Sequence, residues 1–187
     1  MYTVAKTPDW LVQARAHWQW RGDGRPPFAE ATGPGQVSVW DFPRPPRIEA
    51  EPRDVEIRWG NLQLARTRRA LRVLETAHPP TVYVPWHDVD RSLCVDAGGG
   101  SLCEWKGEAR YWSLVNGASR LERVGWSYPK PFPGATELTD YVAFYPADLQ
   151  CTVAGHVVRP QPGGFYGGWI TPELVGPFKG VPGSQGW

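Results

Sequence analysis

The chain has few of the residues that announce a chemistry. Its three cysteines, Cys94, Cys103 and Cys151, include no CxxC pair. That odd count points to free thiols in a reducing compartment, not to a disulfide framework. The four histidines do not stand at ligand spacing with one another or with cysteine, so no metal site is expected. There is no G-x-S-x-G, no H-E-x-x-H and no phosphate loop. Gly98-Gly99-Gly100 lacks the spacing and the following helix that a nucleotide would need. Apolar runs stay well short of the roughly 20 residues that span a bilayer. The start, MYTVAKTPDW, has no basic stretch leading into an apolar run, so no signal peptide is expected and the cytoplasm is the expected location. An excess of one charge is also lacking. Lys and Arg are scattered and the formal net charge is +1, which argues against nucleic acid and membrane surfaces as partners.

What the chain has in quantity is Gly, Pro and Trp, 21, 20 and 11 in 187 residues. With 41% hydrophobic residues, this composition fits a single mainly β body with short strands, many turns and long ordered loops. Asn116-Gly117 is the strongest signal. A type I′ turn needs positive φ at both central residues, and the apolar and aromatic positions on either side predict a β-hairpin around it. Cys103, Lys106 and Glu108 are expected just before its first strand, in a loop turning at Gly107. Val55, Ile57 and Trp59 alternate with Glu56 and Arg58, and Gly60-Asn61 turns the chain back along 62–65. TRRALRVLET suits helix or strand; its shortness and its neighbours favour strand. Residues 81–84 read as a strand, 93–95 as a shorter one, and Gly155-His156 joins 152–153 to 157–158 in a small hairpin.

Two helices are expected. In the first, Thr7 is the N-cap, Pro8 the first helical residue and Asp9 lies in the first turn. Trp10, Leu11, Ala14 and Trp18 form its apolar stripe, with Trp10 and Trp18 docking it on the body. The second follows the hairpin, with Thr136 as cap and Leu138, Tyr141 and Val142 at helical spacing up to Pro146. The segment 22–46 is rich in Gly and Pro but carries Phe28, Trp40 and Phe42. It reads as an arm ordered across the surface or over a neighbouring subunit, so a homodimer is among the expected partners. The division is 1–48 for helix and arm, 49–150 for the core, and 151–187 for a packed hairpin and aromatic tail.

Four stretches, in this order and spacing, resemble one family: ALRVLETAHPPTVYVPWHDV, CEWKGEARYWSL, GWSYPKPFPG and VAFYP. They are similar to the domain of unknown function called DUF427. The flanks VWDFPRPPRIE and RPQPGGFYGGWITPELVGPFKG resemble its longer actinobacterial form, so the likeness runs from about Pro26 onward. The resemblance implies a β-tent, a mainly antiparallel sheet folded over into a shell. It brings no activity with it.

A folded-over sheet encloses a concave face, the usual seat of a small ligand. The polar residues matching the family are Arg69, Glu75, Tyr83, Asp88, Cys103, Lys106, Glu108, Tyr111 and Tyr128. Glu75 ends an apolar run; a partly apolar pocket would raise its pKa and suit it to general acid-base work, unless it only pairs with Arg69, Arg72 or Lys106. Lys106 beside Trp105 can anchor an anion, form a Schiff base if desolvated, or brace the turn. Cys103 is a nucleophile if Lys106 activates it, or a small buried hydrophobe. Tyr111, Trp112, Trp126 and Tyr128 flank the hairpin and can line a cavity or simply pack across strands, with Tyr83 beside them in the binding reading.

Three functions stay open. The leading one is small-molecule binding in an aromatic-lined cleft, with Arg69, Glu75 and Lys106 at the polar end and Asp88 and Glu108 among the ligand-facing residues. The second is a hydrolase, isomerase or lyase without organic cofactor, using Glu75 with Lys106 or Cys103. The third is assembly through the arm and tail.

Overall fold

The computed structural model describes residues 5–187; the first four residues of the start read above lie outside that range. One short helix, α1 (Asp9–Arg15), is followed by β1 (Val37–Ser38), β2 (Arg47–Glu51), β3 (Val55–Trp59), β4 (Leu62–Thr67), β5 (Ala70–Leu74) and β6 (Thr81–Pro85). Then come β7 (Cys94–Cys103), β8 (Gly107–Asn116), β9 (Ser119–Ser127), β10 (Tyr141–Phe144) and β11 (Gln150–Val153). The chain closes with β12 (His156–Val157), β13 (Arg159–Pro160), β14 (Trp169–Ile170) and β15 (Leu174–Val175). A seven-stranded sheet runs β2-β5-β6-β10-β9-β8-β7, and a four-stranded sheet runs β12-β11-β3-β4. Pairing within both is antiparallel. The fold is mainly β, as the sequence implies.

The period of two sorts the large sheet into two faces. Val82 and Val84 of β6 point one way, with Leu114, Val124, Val142 and Phe144, and meet Val55, Ile57, Leu64 and Cys151 of the smaller sheet. This is the main core. Each large aliphatic or aromatic side chain there contributes roughly 1.5–3 kcal/mol by leaving water. Tyr83 points the other way, with Val73, Trp126, Tyr128 and Ala143, into a second cluster.

Cross-strand register draws that second face. Leu71 stands opposite Tyr83, Tyr83 opposite Ala143, Ala143 opposite Trp126 and Trp126 opposite Tyr111. One row therefore crosses β5, β6, β10, β9 and β8, with a methyl group at its centre and rings on both sides.

The arm folds onto its own chain. Trp40 is fully buried with Val39, Phe42, Leu74 and Ala77. Phe28 and Trp187 pack on it with ring centroids 5.3 Å away in each case.

Several local expectations change. Pro8, not Thr7, is the N-cap of α1 and no side chain caps it. Trp10 is 60% exposed, so Trp18 alone of the pair reaches the body. The helical turn after the hairpin is a 3-10 segment, Pro133–Leu138, and Tyr141–Phe144 is a strand between β6 and β9. Its residues fit either period, but Val142 and Phe144 find the core on one side while Ala143 joins the row on the other. Tertiary packing decides between them. The glycine run 98–100 lies inside β7, where the register shifts between Asp96 and Gly100. Gly107 takes φ +106° and starts β8, which puts Glu108 in a strand. The line drawn at residue 150 falls on β11, which pairs with β3 of the core. Among the described residues, no helix is long and apolar enough to cross a membrane.

Candidate functional site

A cavity of about 320 Å³ lies over this second face at Tyr83, Trp126 and Tyr111. Its floor is the sheet face: Val73, Tyr83, Ala109, Tyr111 and Trp126. One wall is the β7–β8 turn with Cys103, Glu104, Trp105 and Lys106. The opposite wall is the segment after β5, with Glu75 and His78. Trp18 from the arm and Gln161, Phe165, Tyr166, Gly167 and Lys179 from the tail close it over.

The roof is fitted to the floor. Gly167 lies so close to Trp126 that a Cβ there would stand 2.1 Å from the ring atom Cη2, so only glycine allows this approach. The Trp126 indole donates to the Tyr83 hydroxyl at 3.2 Å. Its ring also packs on Tyr145, centroids 4.5 Å apart, and the Tyr145 hydroxyl donates to the Phe165 carbonyl at 3.3 Å. Ser101 and Tyr111 hydroxyls are 2.8 Å apart. Phe165 itself is 70% exposed, at the lip.

Charge is concentrated on Glu75. Arg44 Nε lies 3.5 Å from its Oε1, and His78, Lys106 and Lys179 act on it through space. Burial alone would raise its pKa, but His78 once protonated in acid, with Lys106, Arg44 and Lys179, outweighs burial and holds it below the usual carboxylate value. The expectation of a raised pKa is thus overturned: Glu75 is an ionised carboxylate. Arg44 is held in turn by the carbonyls of Trp20 and Thr76, at 3.1 and 3.0 Å.

Lys106 also departs from expectation. Burial opposes its charge, yet Cys103, Tyr83 and Glu75 around it outweigh that, and its pKa stands above the ordinary lysine value. A raised pKa favours the ammonium over the free amine that a Schiff base needs. His78 is neutral: burial, with Lys179, Arg44 and Lys106 nearby, lowers its pKa to about 4 against the pull of Glu75. Gln161 Nε2 is 3.0 Å from His78 Nδ1. An amide nitrogen only donates, so the imidazole proton sits on Nε2. Burial, with Arg44 nearby, lowers Lys179 to about 8 against the pull of Glu75 and Glu104. Burial pushes Tyr83 up to about 12 and Tyr128 well above its ordinary value, so both hydroxyls keep their protons.

Glu75, Tyr83, Cys103, Lys106, Tyr111, Trp126 and Tyr128 therefore share one cavity. Arg69 and Asp88 do not join them; they pair with each other at 2.8 Å outside it, and Asp88 also accepts from Thr67 at 2.6 Å. Glu108 is exposed on β8, beside and not within the lining. Among the described residues, no group of three or more His, Cys, Asp and Glu gathers as a metal site.

The family model described as a domain of unknown function (DUF427) matches residues 47–155, more than half of the chain. The chain belongs to the DUF427 family. No curated protein matches it. The matched span supplies the floor and both walls of the cavity. The DUF427 domain leaves the roof to residues outside that span: Trp18 before it, and Gln161, Phe165, Tyr166, Gly167 and Lys179 after it.

Those roof residues, with Arg44, are what sequence reasoning missed. His78 had a local signal, since it stands three residues from Glu75. Trp18 and Lys179 had none, because only the folded chain brings arm and tail to the same face.

Proposed function

We propose that this DUF427 protein binds a small molecule in the roofed cleft, with Lys106 and Glu75 holding its polar end and Tyr83, Tyr111, Trp126 and Tyr128 lining the rest. The observation that carries this reading is that Lys106, in no ion pair among the described residues, shares a ring-lined cavity of about 320 Å³ with an ionised Glu75. That volume lies at the lower end of the roughly 300–1,000 Å³ typical of small-molecule sites. Fixed charges above a mainly aromatic floor orient a guest and exclude water from it.

Protonation states favour binding over catalysis. A carboxylate held ionised by several cations is a weak base and no acid at neutral pH. An ammonium stabilised by its neighbours is no nucleophile.

The test is a thermal-shift screen of the chain against a broad metabolite set, repeated with Glu75→Gln and Lys106→Met. Binding predicts at least one compound that raises Tm in the wild type and much less in either variant. A set that stabilises nothing, with variants differing only in basal Tm, would reduce the cleft residues to a structural role.

A further inference from the structure

We infer that the cleft takes a small aromatic acid that also carries a hydroxyl or amine, its carboxylate at Lys106 and its donor hydrogen at Glu75; this rests on the binding reading above.

The charges give the sign of the guest. Arg44, Lys106 and Lys179 bear on the cavity against Glu75 and Glu104, while His78 is neutral. One positive charge is left over. It sits on Lys106, because the other groups have partners. Arg44 has Glu75 and two backbone carbonyls. The Lys179 ammonium donates to the Trp187 carbonyl at 2.6 Å and lies over the Trp18 ring. Glu104 accepts from the Trp18 indole at 2.9 Å. Lys106 is in no ion pair among the described residues, and the groups that act on it are the Cys103 thiol, the Tyr83 hydroxyl and Glu75. A partly desolvated ammonium without a counter-ion is stabilised most by an anion that brings its own hydrogen-bond acceptors.

Glu75 limits how much negative charge can enter. A dianion at Lys106 would meet the field of Glu75 and of Glu104 behind it, whereas a carboxylate brings a single charge. A lone lysine is also a point charge and not the fork that phosphate recognition favours. As an ionised carboxylate Glu75 can only accept, so the guest must present a donor.

The walls set the rest. Trp126, Tyr111, Tyr145 and Tyr166 offer flat faces and edges to another ring, and about 320 Å³ suits a guest of one ring with short substituents.

The experiment is calorimetric titration of the full chain with benzoate, 4-hydroxybenzoate and 2-aminobenzoate. Benzamide and benzyl alcohol serve as neutral isosteres and phenyl phosphate as the dianionic one. Each compound is also run in the thermal-shift screen. The hydroxy- and amino-acids are expected to bind at least about tenfold more tightly than the neutral isosteres and phenyl phosphate, a difference of about 1.4 kcal/mol. Lys106→Met should remove that preference, and Glu75→Gln should bring 4-hydroxybenzoate down to benzoate. Because the isostere comparison uses wild-type protein, it decides the matter even if a variant fails to fold. Neutral isosteres binding as tightly as the acids, or aromatic acids failing while another compound raises Tm, would overturn the ligand class and leave the binding reading standing. If nothing in either set binds, both fall together.

Discussion

The Lys179 ammonium lies 4.2 Å from the centre of the Trp18 ring, and the Arg44 guanidinium lies 4.3 Å from the centre of the same ring. Arm and tail thus meet over the candidate site through one indole and two cations. A desolvated cation on a tryptophan face is worth about 2 kcal/mol. Trp18→Ala should therefore lower unfolding stability by about 1–3 kcal/mol and loosen the roof, as read by urea denaturation and by faster proteolysis of the tail. An unchanged midpoint would mean that the ring merely lies nearby.

His78 gives the protein a pH window. Its folded pKa is depressed to about 4 from 6.5. A depressed histidine leaves the unfolded chain as the better proton binder between those values, so its contribution is complete above pH 6.5 and is lost as pH falls toward 4. Stability measured at pH 7 and pH 5 should drop in the wild type and drop less in His78→Gln. Equal losses in both proteins would assign the acid sensitivity elsewhere.

Glu75 acts lower down. Its folded pKa lies below the 4.5 of an ordinary glutamate, so its contribution is present above 4.5 and disappears as pH falls through the folded value. Glu75→Gln leaves Arg44 without its carboxylate. It should cost about 1–3 kcal/mol at pH 7, a difference that narrows as pH falls below 4.5. Denaturation curves at pH 7 and at successively lower pH test this.

The thiols should separate by reactivity. Burial, aided by Asp90, pushes Cys94 up to about 11 from 9.0, which leaves about a hundredfold less thiolate at neutral pH. Burial raises Cys151 further still. Labelling at pH 7.5 should therefore leave both untouched for as long as the chain stays folded. Any modification should fall on Cys103 and slow when the cleft is filled. Rapid labelling of Cys151 in the native protein would contradict the packing described.

Gly167→Ala would drive a methyl into Trp126, whose ring is already packed on Tyr145 and Tyr83. Overpacking of this kind costs about 1–3 kcal/mol. The roof should shift, with a lower Tm and a red-shifted tryptophan emission.

The strands that were legible in the sequence each carried a local device: alternation at 55–59, Gly60-Asn61, Asn116-Gly117. Where the period was ambiguous, as at Tyr141–Phe144, only the neighbouring strands could decide. The site was half legible for the same reason. Tyr83, Tyr111 and Trp126 fall on one face by strict alternation, and Cys103 and Lys106 flank one turn. Arg69 and Asp88 share the same kind of pattern, but they find each other first, and no local rule says which opposite charges will meet. The protonation of Glu75 was misread because burial is visible in a sequence as apolar neighbours, while the groups that offset it, His78, Lys106, Arg44 and Lys179, gather on it only in the fold.

A floor built by the family domain and a roof built by its flanks can diversify separately. On the binding reading proposed above, substitutions among residues 161–168 would change which guests gain entry, while Lys106, Glu75 and the tyrosines keep the same electrostatic grammar beneath. Members of one lineage could in this way inherit a common mode of grip and still differ in what they hold.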